Sequence, residues 1–289
     1  MYCIYHSRDL DGYYSGAIVN KKYPDCILIG YDYGQPIPYD QIPRNQPVIM
    51  VDVSILPEDM AKLALYTGRQ LTWIDHHKSA IEDYNKFKTD NPVQAEYFKA
   101  VLQQGIAACE ITWNYLFPDE PMPDAVSLIG QYDTWRDENK SNWNKLVLPF
   151  QYGMKAMGVD NPIKVTPGLL NGSPAIIDTI IEQGKIALQY QINMDKQIMK
   201  SSFDVVVDGL EGIACNGAGF GSMAFDSVFD PMKYDLMVPF KFDGINWVVS
   251  LYSGNPDVDC SVIAKRYGGG GHASAAGFTT TEFPDFLKQ

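Results

Sequence analysis

Three short stretches place imidazole and carboxylate groups where chemistry can use them: HSRDLDG (6–12) with His6, Asp9 and Asp11, VIMVDVS (48–54) with Asp52, and QLTWIDHH (70–77) with Asp75, His76 and His77. Each follows an apolar run that reads as a β-strand, and in an open α/β sheet ligands bind outside the carboxyl ends of the strands. Taken singly, each has an ordinary explanation. Asp-x-Asp-Gly suits a polar turn, and Asp52 is placed to cap a helix beginning near Pro57. Together they carry more. Two of the four histidines are adjacent at one strand end and a third lies at another. A carboxylate closing an otherwise apolar strand is costly to bury unless it is paired or holds a cation. Imidazole with several carboxylates suits a divalent transition metal, and an oxygen-rich set favours Mn2+. The number of such groups exceeds one ion's needs, so two ions sharing a bridging carboxylate is the more economical arrangement.

The elements that must position these residues alternate. YCIYH (2–6), CILIGYDYG (26–34), VIMVDVS (48–54) and QLTWID (70–75) read as strands, and GYYSGAIVNKKY (12–23) and PEDMAKLALYT (57–67) as helices. Such alternation predicts a parallel sheet covered on both faces. VQAEYFKAVL, GIAACEITWNYLF and PDAVSLIGQYDTW, within about residues 94–135, carry helical periodicity and predict a helical layer after the sheet. SPAIIDTIIEQGKIALQYQINMDKQIMKSS (173–202) predicts a long connecting helix. From Phe203 the sequence is rich in Val, Phe, Tyr and Trp broken by Asp-Gly turns, with one helix-like stretch, VDCSVIAKRY (258–267), which predicts a smaller mixed α+β domain.

The 289 residues are enough for two domains, and 46% are hydrophobic. With 35 acidic against 23 basic side chains, a net charge of -12, the chain is a poor candidate for gripping long nucleic acid by phosphate neutralisation. Five scattered cysteines without a C-x-x-C pair exclude a disulfide framework or cysteine zinc site and suit a reducing cytoplasm. The start MYCIYHSRDLDG lacks a signal peptide's apolar stretch, and no segment approaches the ~20 apolar residues of a membrane span, so a cytoplasmic protein with no membrane partner is expected.

The motifs HSRDLDG (6–12), VDVS (51–54), IDHH (74–77) and QYDTW (131–135), in this order, with YGGGGHASAAGF (267–278), resemble the DHH phosphoesterase superfamily and its DHH-associated C-terminal domain. That group includes RecJ-like exonucleases, oligoribonucleases, cyclic dinucleotide phosphodiesterases, manganese pyrophosphatases and exopolyphosphatases. The resemblance covers nearly the whole chain. It implies a DHH metal-binding catalytic domain over 1–172, a connecting helix over 173–202 and a DHH-associated substrate-binding domain over 203–289.

The resemblance also implies two Mn2+ ions, with Mg2+ or Co2+ as substitutes. One would be held by His6, Asp9 and Asp52 and the other by Asp11, Asp52, His76 and Asp133, with Asp52 bridging. Asp133 enters only through the resemblance. His77 would lie beside the substrate phosphate, with Asp75 orienting a histidine. Gly269, Gly270, Gly271 and His272 would contact the distal part of the substrate. Arg266, Lys265, Arg136 and Lys78 are further candidates for phosphate. Tyr252 stands in SLYS where nucleic-acid-acting relatives often have arginine, leaving the substrate less defined than the reaction. His6 precedes Asp9 by three residues rather than the four of pyrophosphatase-like members, which tilts the reading away from pyrophosphatase. The expected activity is hydrolysis of dinucleotides or short oligonucleotides by metal-activated water, with a homodimer left open. The alternatives are a phosphomonoesterase or exopolyphosphatase-like hydrolase of nucleotides or polyphosphate, and a non-catalytic nucleotide-binding module.

Overall fold

The computed structural model describes residues 1–217 and 221–288. Gln289, the last residue of the expected C-terminal domain, lies outside the described residues. The chain divides into two compact units, Met1–Leu188 and Gln189–Gln289.

The first unit begins with β1 (Tyr2–His6), α1 (Leu10–Lys22), β2 (Ile27–Tyr31), β3 (Val48–Val51), α2 (Pro57–Tyr66), β4 (Leu71–Asp75) and α3 (Lys78–Asp90). A short α4 (Pro92–Ala95), β5 (Lys99–Leu102), α5 (Ala108–Leu116) and α6 (Asp124–Asp133) follow. Then α7 (Lys140–Asn142) runs through wider turns into α8 (Leu148–Ala156), and α9 (Pro167–Leu170) precedes the long α10 (Pro174–Ile198). All five strands are parallel, in the order β2-β1-β3-β4-β5. The central β3, VIMV, is buried throughout, as a parallel strand covered on both faces must be. Trp73, Tyr84, Phe87 and Phe98 fill the core between this sheet and α2, α3 and α4. The strand order changes direction between β1 and β3, the switch point at which such sheets open a crevice.

One expectation fails. VQAEYFKAVL is helical only over Pro92–Ala95, and its second half is β5, paired with β4 so that Lys99 faces Thr72 and Leu102 faces Asp75. Four residues are too few for periodicity to separate strand from helix, and the pairing offered by β4 decides.

The second unit carries β6 (Phe203–Val207), β7 (Leu210–Asn216), β8 (Leu236–Phe242), β9 (Trp247–Tyr252), α11 (Cys260–Arg266), β10 (Gly270–Gly271) and β11 (Ala275–Thr280). The order is β10-β11-β9-β8-β7-β6, antiparallel except for β7 beside β8. Asp208 and Gly209 join β6 to β7 with φ of 52° and 86°, the two positive values a tight hairpin turn demands. Val238, Phe240, Leu251, Ile263 and Phe278 anchor the core between this sheet and α11. The architecture is the α/β arrangement the sequence predicts: an all-parallel N-terminal sheet with a helical layer, a long connecting helix and a smaller mixed sheet. All five cysteines are free and buried. Among the described residues no helix is long and apolar enough to cross a membrane.

Candidate metal centre

The carboxyl edge of the first sheet collects the ligand-type side chains. His6 ends β1, and the chain turns at once into α1, where Asp9 caps the helix by accepting from the Gly12 N–H at 3.0 Å. Only glycine fits at position 12, because a Cβ there would stand 2.0 Å from the His6 carbonyl oxygen. That close approach folds the HSRDLDG segment back on itself and sets His6 Nδ1 3.0 Å from Asp9 Oδ2. Asp11, in the first turn of α1, is buried, and its two oxygens accept from the N–H groups of Cys109 (2.7 Å) and Ala108 (2.9 Å) at the start of α5. A carboxylate there also suits the positive end of the helix dipole. Each oxygen keeps a second lone pair for another partner.

Asp52 follows β3 in the left-handed region, φ 58°, a costly conformation for a residue with a Cβ. Its N–H bonds to the Ile74 carbonyl at 3.0 Å, which holds it against β4. The side chain is 1% exposed, and neither oxygen accepts a hydrogen bond. Oδ2 lies 3.4 Å from His6 Nδ1 and Oδ1 3.4 Å from His76 Nε2, so this one carboxylate stands between two histidines from different strands. His76 Nε2 also lies 3.6 Å from Asp11 and 3.4 Å from Asp133, the last residue of α6. Asp75, fully buried at the end of β4, accepts from the N–H groups of His76 and His77, and its Oδ1 is 2.7 Å from His77 Nδ1. Within the first unit three sets of potential ligand atoms result: His6, Asp9 and Asp52; Asp11, His76 and Asp133; and Asp52, Asp75, His76 and His77.

Charge in the cluster is unbalanced toward the negative. Burial pushes the Asp52 carboxyl well up, and Asp11 and Asp9 push it further. Burial pulls His6 down, but the carboxylates of Asp52 and Asp9 more than reverse this and raise it to about 11. His76 and His77 are likewise raised by neighbouring aspartates against the opposing effect of burial. Burial raises Asp75, yet His77 beside it leaves it below its ordinary value. A crowd of carboxylates that drives imidazoles to hold protons is short of cations. Its oxygen-rich, imidazole-containing donor set and the two orphaned oxygens of Asp52 fit divalent ions.

No family profile matches the chain. It aligns with the oligoribonuclease NrnB of Bacillus subtilis at 24% identity, over 98% of this chain and 73% of that protein. An uncharacterised protein of Acanthamoeba polyphaga mimivirus is 26% identical over 81% of this chain, and the alignment spans 53% of the viral protein, about half its length. The pGpG-specific phosphodiesterase PggH of Vibrio cholerae shares the fold, with a TM-score of 0.53 at 14% identity, over 97% of this chain and 93% of that one. At these identities the chain is similar to NrnB along nearly its whole length and shares its fold with PggH.

The DHH motif itself, Asp75-His76-His77, shows a division of labour: Asp75 fixes His77, while His76 turns toward three other carboxylates. His6, Asp9, Asp11, Asp52, His76, His77 and Asp133 all come together in the first unit. Arg136 is nearby in sequence but engaged, its guanidinium paired with Glu110 and its Nε–H donated to Thr134 Oγ1 at 2.8 Å. In the second unit Arg266 pairs with Asp208 at 2.8 Å. Gly269 packs tightly, since a Cβ there would stand 2.0 Å from the Gly277 carbonyl oxygen, whereas one at Gly270 would meet nothing within 4 Å. Gly271 has φ 140°, and the His272 N–H donates to the Ala275 carbonyl at 2.7 Å.

Two neighbours of the DHH cluster were not singled out from sequence. Asp32, one residue beyond β2, lies 3.7 Å from His6 Nε2 and is held by Arg8. Tyr33 presents its ring edge-on to His6 at 5.6 Å and to His77 at 6.2 Å. The signal for both was available: YDYG closes the predicted strand over 26–34, at the same kind of strand end as the other ligands.

Proposed function

We propose that this chain is a manganese-dependent phosphodiesterase that hydrolyses dinucleotides or short oligonucleotides. The observation that carries the reading is Asp52, a buried carboxylate with no hydrogen-bond donor, held in a left-handed backbone between two histidines. His6, Asp9 and Asp52 would hold one ion, and Asp11, Asp52, His76 and Asp133 the other. So held, two divalent ions supply Lewis-acid stabilisation of charge on the phosphoryl oxygens and activate water near neutral pH.

The protein's own part is positioning and proton placement. The backbone N–H groups of Ala108 and Cys109 fix the Asp11 carboxylate without consuming its remaining lone pairs. Asp75 accepts the His77 Nδ1–H, orients that ring and favours its protonated form, a cation suited to lie beside a substrate phosphate. Short substrates are favoured because the acidic chain supplies no basic track for a long polymer. The names of NrnB and PggH point to the same substrate range.

The test is a panel assayed with Mn2+: pApA, pGpG, five-nucleotide RNA and DNA, cyclic dinucleotides, 3′-phosphoadenosine 5′-phosphate and polyphosphate. Preference for the linear dinucleotides or pentanucleotides is expected. Strong preference for polyphosphate or the phosphomonoester would replace the reading with a hydrolase of those substrates. No turnover despite bound Mn2+ would make the chain a nucleotide-binding module.

A further inference from the structure

Beside the proposed ligands, the first unit holds an ammonium group that has no carboxylate partner among the described residues. Lys155, near the end of α8, lies with Nζ 5.4 Å from the Tyr132 ring centre and 5.3 Å from that of Tyr152. The residue is exposed, with its pKa somewhat lowered by its surroundings and the Asp9 carboxylate, a proposed metal ligand, as the opposing influence. An exposed cation held over two aromatic rings is suited to receive an anion.

The second observation is Trp135, two residues beyond Asp133. The residue is 43% exposed and its backbone is left-handed, φ 53°, an outlier for so bulky a residue. The turn is locked by the Arg136 N–H to the Gln131 carbonyl at 2.9 Å and the Asp137 N–H to the Trp135 carbonyl at 3.0 Å. Trp143 braces the indole edge-on at 5.0 Å, and the Tyr132 ring lies 5.9 Å away. Tyr132 therefore neighbours both the ammonium and the exposed indole. An unpaired cation beside an exposed, rigidly held aromatic face matches one chemistry: a flat base joined to a phosphate.

We propose that Lys155 and Trp135 form a nucleoside-phosphate subsite next to Asp133, with Lys155 taking the phosphate and Trp135 stacking on the base. This rests on the hydrolase reading above and narrows its substrates to those that carry a base, against polyphosphate.

The subsite can be tested apart from turnover by titrating 5′-AMP, adenosine and inorganic phosphate onto the full chain in EDTA by calorimetry. Wild type should bind AMP more tightly than either fragment. Lys155→Gln should weaken AMP at least tenfold, toward the level of adenosine, with Lys155→Arg largely restoring it. Trp135→Leu should weaken AMP and adenosine alike by roughly 5- to 150-fold, the range of one stacked base, with Trp135→Phe intermediate. In Mn2+ assays both losses should appear mainly as a raised KM for pApA. Circular dichroism and melting establish that each variant is folded. Unchanged AMP binding in both folded variants, or wild-type AMP binding no tighter than phosphate alone, would overturn the subsite. If the binding losses appear but no substrate is hydrolysed, the subsite stands and the hydrolase reading fails. Hydrolysis with an unaltered KM in both variants would instead leave the hydrolase standing and remove the subsite.

Discussion

At the carboxyl edge of the first sheet, six aspartates crowd three histidines and Asp52 accepts no hydrogen bond, whereas aspartates of the second unit find ordinary partners. There Asp204 accepts from the Tyr234 hydroxyl at 2.6 Å and from Lys233 at 2.8 Å. Asp208 accepts from Arg266 and the Tyr267 hydroxyl, and Asp259 caps α11. Asp204, Asp208 and Asp259 are explained by the side chains and helix end they stabilise. In the first unit Asp9, Asp11 and Asp75 also accept backbone N–H groups, but Asp52 does not explain itself in that way, because folding gains nothing from burying a carboxylate without a donor. Residue type is the same in both regions; satisfaction of the side chain separates these structural acids from Asp52.

The sharpest way to break this contrast is Asp52→Asn. With Mn2+, kcat/KM for a dinucleotide should fall by more than the roughly 10- to 100-fold that loss of an outer partner of a ligand costs. In EDTA the melting temperature should stay level or rise, since burial and the Asp11 and Asp9 carboxylates oppose the ionised form of Asp52 more than His6 favours it. A variant that keeps its activity, or that melts lower without metal, would make Asp52 a structural acid like those of the second unit.

Asp75→Asn has a smaller expected effect because Asp75 acts through His77. The amide can still accept from His77 Nδ1, so the ring stays oriented while the charge that raises its pKa is lost. A 10- to 100-fold loss of kcat/KM is expected, and the alkaline limb of the pH profile should move to lower pH. A uniform loss with no movement of that limb would assign Asp75 to folding alone.

Stability against pH separates the regions again. In EDTA, His6 is raised to about 11, with burial opposing and the carboxylates of Asp52 and Asp9 prevailing. A raised imidazole contributes stability fully present below its unfolded value of about 6.5, and that contribution is lost as pH climbs through about 11. Melting temperature in EDTA should therefore decline over this window, and His6→Gln should flatten the decline. Mn2+ should oppose it, because ligation requires neutral imidazole. An identical slope for wild type and His6→Gln would remove His6 from the charged cluster.

Much of this was legible in the sequence, and the failures have physical causes. The strand-end positions of His6, Asp52 and Asp75 followed from apolar runs ending in polar residues, since burial of a central parallel strand writes itself as continuous hydrophobicity. Asp133 was not legible that way: it ends a helix, where an acid is usually solvated, and only resemblance to known motifs pointed to it. Asp32 could have been found by the strand-end rule but ends a half-exposed strand whose pattern is weaker. β5 was hidden because its identity depends on pairing with β4 rather than on its own four residues. The left-handed backbone of Asp52 and the unpaired state of its oxygens are tertiary facts with no signature in residue order.

The smallest effects belong to the glycine run, where adjacent positions separate packing from binding. Gly269→Ala would drive a Cβ to 2.0 Å from the Gly277 carbonyl oxygen and 2.6 Å from Phe278 Cβ, backbone and core that cannot yield easily. A loss of about 1–3 kcal/mol is expected from such overpacking, read as a lower denaturant midpoint for the second unit. At Gly270 an added methyl meets nothing within 4 Å, so Gly270→Ala should leave that midpoint unchanged. If Gly270 approaches a ligand, as the motif implies, the same methyl should raise KM for a dinucleotide by a fewfold in a protein of full stability. A Gly270→Ala variant with unaltered KM would confine this glycine's role to the hairpin of β10 and β11, and the second sheet would then be structural throughout that segment.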